Sequence, residues 1–161
     1  MGQIETRLDE LGLVLPAPLK LPPGVKLSFP WVRVYGNRAY LSGHAPQNSD
    51  GTLAGPFGKV DGEVSLEAAQ EAARLTALSM LASLKRELGD LDRVSAWLRI
   101  FGMVNSTAGF NQQPIVINGC TDLIVEVYGP ERGAHARSAV GMAELPFGLP
   151  VEIEAEVAID A

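Results

Sequence analysis

Residues 151–159, VEIEAEVAI, alternate without a break. Val151, Ile153, Ala155, Val157 and Ile159 fall on one side, and Glu152, Glu154 and Glu156 on the other. Successive side chains of a strand point to opposite faces, so this segment predicts a strand with one buried face. The run from Arg137 to Leu145 also reads as a strand, with Ala139, Gly141 and Ala143 sharing the face of Arg137. Pro146-Phe147-Gly148 supplies turn residues between the two, which predicts a β-hairpin. In that hairpin Arg137 would stand over a floor of small side chains, within reach of Glu152 on the neighbouring strand. The pair is the candidate site. A guanidinium offers a rigid fork of donors that matches a carboxylate. A glutamate whose pKa is raised by partial burial can position or deprotonate a water molecule. The competing structural reading makes Arg137 a solvated strand-end charge and the three glutamates the wet face of an edge strand.

The rest of the chain supplies a sheet and helices to hold such a pair. Ile4, Leu8 and Leu11 recur at helical spacing before Gly12, predicting a short N-terminal helix over residues 3–11. Five prolines between residues 14 and 30 predict an extended arm. Trp31 to Tyr35 and Arg38 to Ser42 alternate around Gly36-Asn37, which predicts a hairpin. Ser65 to Leu88 has an N-cap, early glutamates, an apolar stripe and a terminal Gly89, so it predicts a long helix whose Leu and Met residues are core. Asp92 to Val104 predicts a strand covered on both faces, because Val94, Trp97, Leu98, Ile100 and Phe101 populate both. Asn111 to Tyr128 predicts a second long helix ended by Gly129-Pro130, although Ile115-Val116-Ile117 fits a strand as well. Gly119 within it costs about 1 kcal/mol against alanine and implies close packing. A single domain over 1–161 follows, with residues 1–30 as helix and proline-rich arm and 31–161 as the core.

Composition narrows the function classes. The chain carries a net charge of −6 and has no basic cluster, which disfavours nucleic acid as a partner. A lone cysteine, Cys120, excludes an internal disulfide and fits a reducing compartment. Without an apolar run near the ~20 residues of a membrane span, a cytoplasmic protein is expected. His44 and His135 lie far apart and no Cys pair exists, so no metal site is expected. Gly55-Pro56-Phe57-Gly58-Lys59 lacks the spacing of a phosphate loop and the hydroxyl that follows its lysine.

The stretch from Ala136-Arg137-Ser138 through Leu145-Pro146 to Val151-Glu152-Ile153-Glu154-Ala155 resembles the signature of the RidA family, also called YjgF/UK114 or endoribonuclease L-PSP. Tyr40-Leu41-Ser42-Gly43-His44 resembles the family strand that ends in Ser-Gly-Gln, and Ser65 to Val94 resembles its first helix and the entry to the next strand. The resemblance covers Trp31 to Ala161; the longer arm and the segment Gln113 to Gly119 look like a less-studied subgroup. It implies a chorismate-mutase-like α+β fold, a mostly antiparallel sheet with two helices on one face, and a homotrimer with clefts between subunits. It also implies a cofactor-independent deaminase that hydrolyses reactive enamines and imines to 2-keto acids and ammonia; the alternative is a non-catalytic trimer that binds or senses small carboxylates. By position, Arg137 would clamp the substrate carboxylate, Glu152 would activate water, and Gly43, His44 and Trp31 would contact the ligand. Trp31 stands where the family has a tyrosine, and His44, a group that titrates near neutral pH, where it has a glutamine.

Overall fold

The computed structural model describes residues 2–161. Its elements run α1 (Gln3–Glu10), β1 (Val32–Tyr35), β2 (Arg38–His44), α2 (Leu66–Leu88), β3 (Val94–Asn105), α3 (Gln113–Arg132), β4 (Ala136–Met142) and β5 (Val151–Ile159). The five strands form one sheet in the order β1-β2-β5-β3-β4. Every neighbouring pair is antiparallel except β3 and β4, which run parallel. Helices α2 and α3 pack on one face. Val151, Ile153, Ala155, Val157 and Ile159 are all buried there, as the alternation of β5 predicts.

Local signals set most boundaries. The Ser65 hydroxyl accepts the Ala68 amide at 3.1 Å and starts α2; Gly89, at φ 79°, ends it. The proline-rich arm is extended and tied down by Ala17 N to Ser49 O and Lys20 N to Gly51 O, both 2.9 Å. Helix α3 begins at Gln113, later than expected. Gly129, at φ 84°, breaks it where the sequence predicts a stop, and Pro130 begins one further turn to Arg132.

Two expectations are corrected. First, β4 and β5 are not a hairpin, because β3 lies between them. The strand–helix–strand unit β3-α3-β4 brings the chain back to the end where β3 began, so β4 must pair in parallel. Residues 143–150 then pass over the end of β3 to start β5. Buried Asn105 holds that passage, its amide donating to Pro150 O at 2.9 Å and its Nδ2 to Leu149 O at 3.2 Å. Second, β3 is covered on one face only. Ile100, Gly102 and Val104 are buried against the helices, whereas Phe101 and Met103 are half-buried and Arg99 is exposed on the open face.

One short 3-10 turn, Leu91–Arg93, gathers distant segments. The Asp92 carboxylate accepts the Gln3 amide at 2.6 Å and the Ile4 amide at 3.1 Å, capping α1 from far along the chain. Arg93 O accepts Asp160 N at 2.8 Å, and Tyr128 OH donates to Leu91 O at 3.1 Å. Among the described residues, no helix is long and apolar enough to cross a membrane.

Candidate active site

Arg137 lies on β4, an edge of the sheet, and pairs in register with Ile100, so its side chain belongs to the helix face. Its Nη1 donates to Asn118 Oδ1 at 2.8 Å and to Thr121 Oγ1 at 3.0 Å, and its Nη2 donates to Pro114 O at 3.3 Å. All three acceptors are neutral and belong to α3. Among the described residues no carboxylate pairs with it. Of five donors, the Nε hydrogen and one on Nη2 remain free. This is a half-buried positive charge, oriented by its neighbours and lacking a counter-ion. The space expected above Gly141 is filled: a side chain there would meet Ser106 Oγ at 3.0 Å and Gln113 Nε2 at 3.1 Å.

Glu152 stands elsewhere. It pairs with Met103 on the open face of the sheet, opposite to the helices. The β2–β5 register slips between Leu41 and His44, and Gly43 passes directly beneath the Glu152 carboxylate, where any Cβ would collide with it. Glycine at 43 thus leaves room for the Glu152 carboxylate in this position, and a larger residue would displace that side chain. Glu152 is half-buried and, among the described residues, has no hydrogen-bond partner. Burial, followed by the charge of Glu154, raises its carboxyl above the ordinary range. The structure therefore brings Glu152 and Gly43 together but holds Arg137 apart, on the other face and beyond β3.

The His44 side chain points to the helix side. It is 3% exposed, with Nδ1 2.5 Å from Ser42 O and Nε2 2.8 Å from Ser83 Oγ on α2. The Trp31 ring packs on it at 5.1 Å. The recess that these rings share with Arg86 has a volume of about 10 Å³, room for no more than one water. The expectation that His44 titrates near neutrality is corrected, because burial pushes its pKa down to about 4. A histidine whose folded pKa lies below its unfolded one stabilises the fold above the unfolded value and loses that contribution as pH falls towards the folded one. Between pH 7 and pH 5 the chain should lose about 2 kcal/mol of stability through this group alone. Urea denaturation across that range tests it, and His44→Gln should flatten the slope.

Asn118, Thr121 and His135 complete the surroundings of Arg137; the sequence marks none of them as a partner of Arg137, and it raises His135 only as a metal ligand. Their one legible signal was the spacing of Asn118 and Thr121, two polar side chains three apart on an otherwise apolar helix stripe.

No protein-family profile matches the chain. It is 38% identical over 159 residues to protein TCP17 of Trypanosoma cruzi, covering 99% of this chain and 96% of that one. The crystal structure of Atu1372 from Agrobacterium tumefaciens, a protein of unknown function, is 41% identical with a TM-score of 0.87 over 98% of this chain and 93% of that one. A candidate endoribonuclease of Shewanella oneidensis has a TM-score of 0.88 at 24% identity, covering 98% and 100% of the two chains. The fold, a mixed five-stranded sheet backed by helices, is that of RidA-like proteins, whose solved structures align over nearly the whole chain. The chain belongs to the RidA (YjgF, endoribonuclease L-PSP) family, with TCP17 and Atu1372 among its relatives.

Proposed function

We propose that the protein hydrolyses small imines or enamines that carry a carboxylate, releasing a 2-keto acid and ammonia. The observation that carries this reading is the Arg137 guanidinium, fixed by three neutral acceptors and lacking a counter-ion among the described residues. Such a group is complementary to a small organic anion. Glu152 supplies the second function. Burial raises its pKa and so makes it a stronger base than an ordinary carboxylate, able to take a proton from water as the oxygen adds to the C=N carbon. The same carboxyl passes that proton to nitrogen to complete the tetrahedral adduct. It then carries the adduct's hydroxyl proton to nitrogen as C=O forms, the C–N bond breaks and ammonia leaves.

Because the two groups occupy opposite faces of one sheet, a site that uses both draws Arg137 from one protomer and Glu152 from the next. Repetition of that head-to-tail contact closes a ring, and a homotrimer is the closure we propose. The uncovered sheet face supports it, since Tyr35, Tyr40 and Val140 are 73%, 42% and 37% exposed there. Sedimentation of the full chain measures the assembly directly.

Ammonia release from freshly generated iminopyruvate is the test of catalysis. We expect the acid limb of kcat/KM to fall below the raised pKa of Glu152, and Glu152→Gln to remove the limb together with most of the rate, a loss of about a hundredfold. No acceleration over buffer by the wild-type protein rejects the deaminase. Retained carboxylate binding in that case supports a non-catalytic binder, a reading favoured by one specific feature: His44 is held neutral and Trp31 only donates, so neither replaces a phenol as proton carrier.

A further inference from the structure

We infer that Thr121 and His135 are positioning residues for the Arg137 guanidinium, joined to it by a one-way chain of hydrogen bonds that starts at the Gly133 carbonyl. The inference rests on the anion-anchor reading of Arg137 given above. Its direction follows from donor chemistry alone. A carbonyl only accepts, so His135 Nδ1, 2.7 Å from Gly133 O, carries the ring hydrogen. In the neutral imidazole that leaves Nε2 as an acceptor. The Thr121 hydroxyl, 3.0 Å away, must therefore donate to it. With its hydrogen committed there, Thr121 Oγ1 presents lone pairs to Arg137 Nη1, also at 3.0 Å. The other Nη1 hydrogen goes to Asn118 Oδ1 at 2.8 Å, so both hydrogens of that nitrogen are fixed against α3 and the guanidinium plane is set.

The chain works only with neutral His135. A second proton would turn Nε2 into a donor to Thr121, displace the hydroxyl hydrogen and set a second cation beside Arg137. Burial, opposed by the Gly133 bond and reinforced by the charge of Arg137, holds the His135 pKa below its ordinary value. The same three-part arrangement occurs a second time. His44 Nδ1 meets Ser42 O at 2.5 Å, its Nε2 meets Ser83 Oγ at 2.8 Å, and Arg86 Nη2 donates to that hydroxyl at 3.2 Å. There the oriented guanidinium reaches Pro16 O at 3.4 Å on the arm, and its recess is too small for a ligand. At Arg137 the same device stands on a sheet edge with two donors unused.

Nitrogen-15 NMR of the ligand-free full chain reads the guanidinium directly. Wild type and Thr121→Ser should share slow Nη1 hydrogen exchange, whereas Thr121→Val and His135→Ala should exchange about tenfold faster. Calorimetric titration with 2-ketobutyrate should show about a tenfold loss of affinity in the same two variants, recovered in Thr121→Ser. Equal exchange in all four proteins overturns the inference. Exchange that changes as expected while no protein binds 2-ketobutyrate upholds the positioning chain and removes the carboxylate reading of Arg137. Should Thr121→Val not fold, His135→Ala, altered at a half-exposed residue outside the helix, carries the comparison.

Discussion

On the proposed function, Arg137→Ala should lower kcat/KM for a small imino acid by about a thousandfold. Truncating one partner of a hydrogen-bonded charge pair costs about 2–5 kcal/mol, and about 4 kcal/mol corresponds to that factor. The effect is large because the protein has already oriented the guanidinium: Asn118, Thr121 and Pro114 hold it before any ligand arrives. Arg137→Lys should recover only a small part, since an ammonium is a point charge without a planar fork. Thermal melting should change little in either variant, because the arginine lies at a sheet edge and outside the apolar core. Steady-state ammonia release over a range of imine concentrations measures the effect. Unchanged kcat/KM in Arg137→Ala would mean that the anion is held elsewhere.

Gly119→Ala should destabilise the fold by about 3 kcal/mol or more. Gly119 sits inside α3 where that helix crosses α2. An added Cβ would run into the Gln70 carbonyl oxygen and lie 3.0 Å from its carbon. Both are backbone atoms, so no rotamer change relieves the contact and the helices must separate. Helix propensity alone argues the opposite, since alanine is favoured over glycine by about 1 kcal/mol. The sign of the measured change therefore decides between the two effects. Urea unfolding of the variant against wild type supplies it, and a stabilised variant would mean that the helix crossing yields at no cost.

That close crossing was legible before any coordinates, because a glycine inside a helical pattern needs a reason. The alternation of residues 151–159, the Gly36-Asn37 turn and the Ser65 cap were legible for the same cause: each is a local rule acting on consecutive residues. The pairing of β4 was not. Phe147, at φ 59°, and Gly148, at φ 67°, do turn the chain, as their sequence suggests. What they join is fixed by Asn105, more than forty positions earlier, which takes hold of Leu149 and Pro150. The order strand, helix, strand across β3, α3 and β4 was the overlooked clue, since such a unit favours parallel pairing over a hairpin. The same oversight placed Arg137 beside Glu152. Both residues were singled out from sequence, yet their relation depends on which face each strand presents after long-range pairing. His44 went astray for another reason: the charge state of an imidazole depends on burial, and the Ser42-Gly43-His44 pattern does not reveal that the ring turns towards α2.

The 3-10 turn at Leu91–Arg93 fastens both α1, through Asp92, and the residue that follows β5, through Arg93. The earliest and latest folded segments consequently share a single clasp. Loosening α1 should therefore weaken the hold on the end of β5 and the reverse, so hydrogen exchange at the two should rise together.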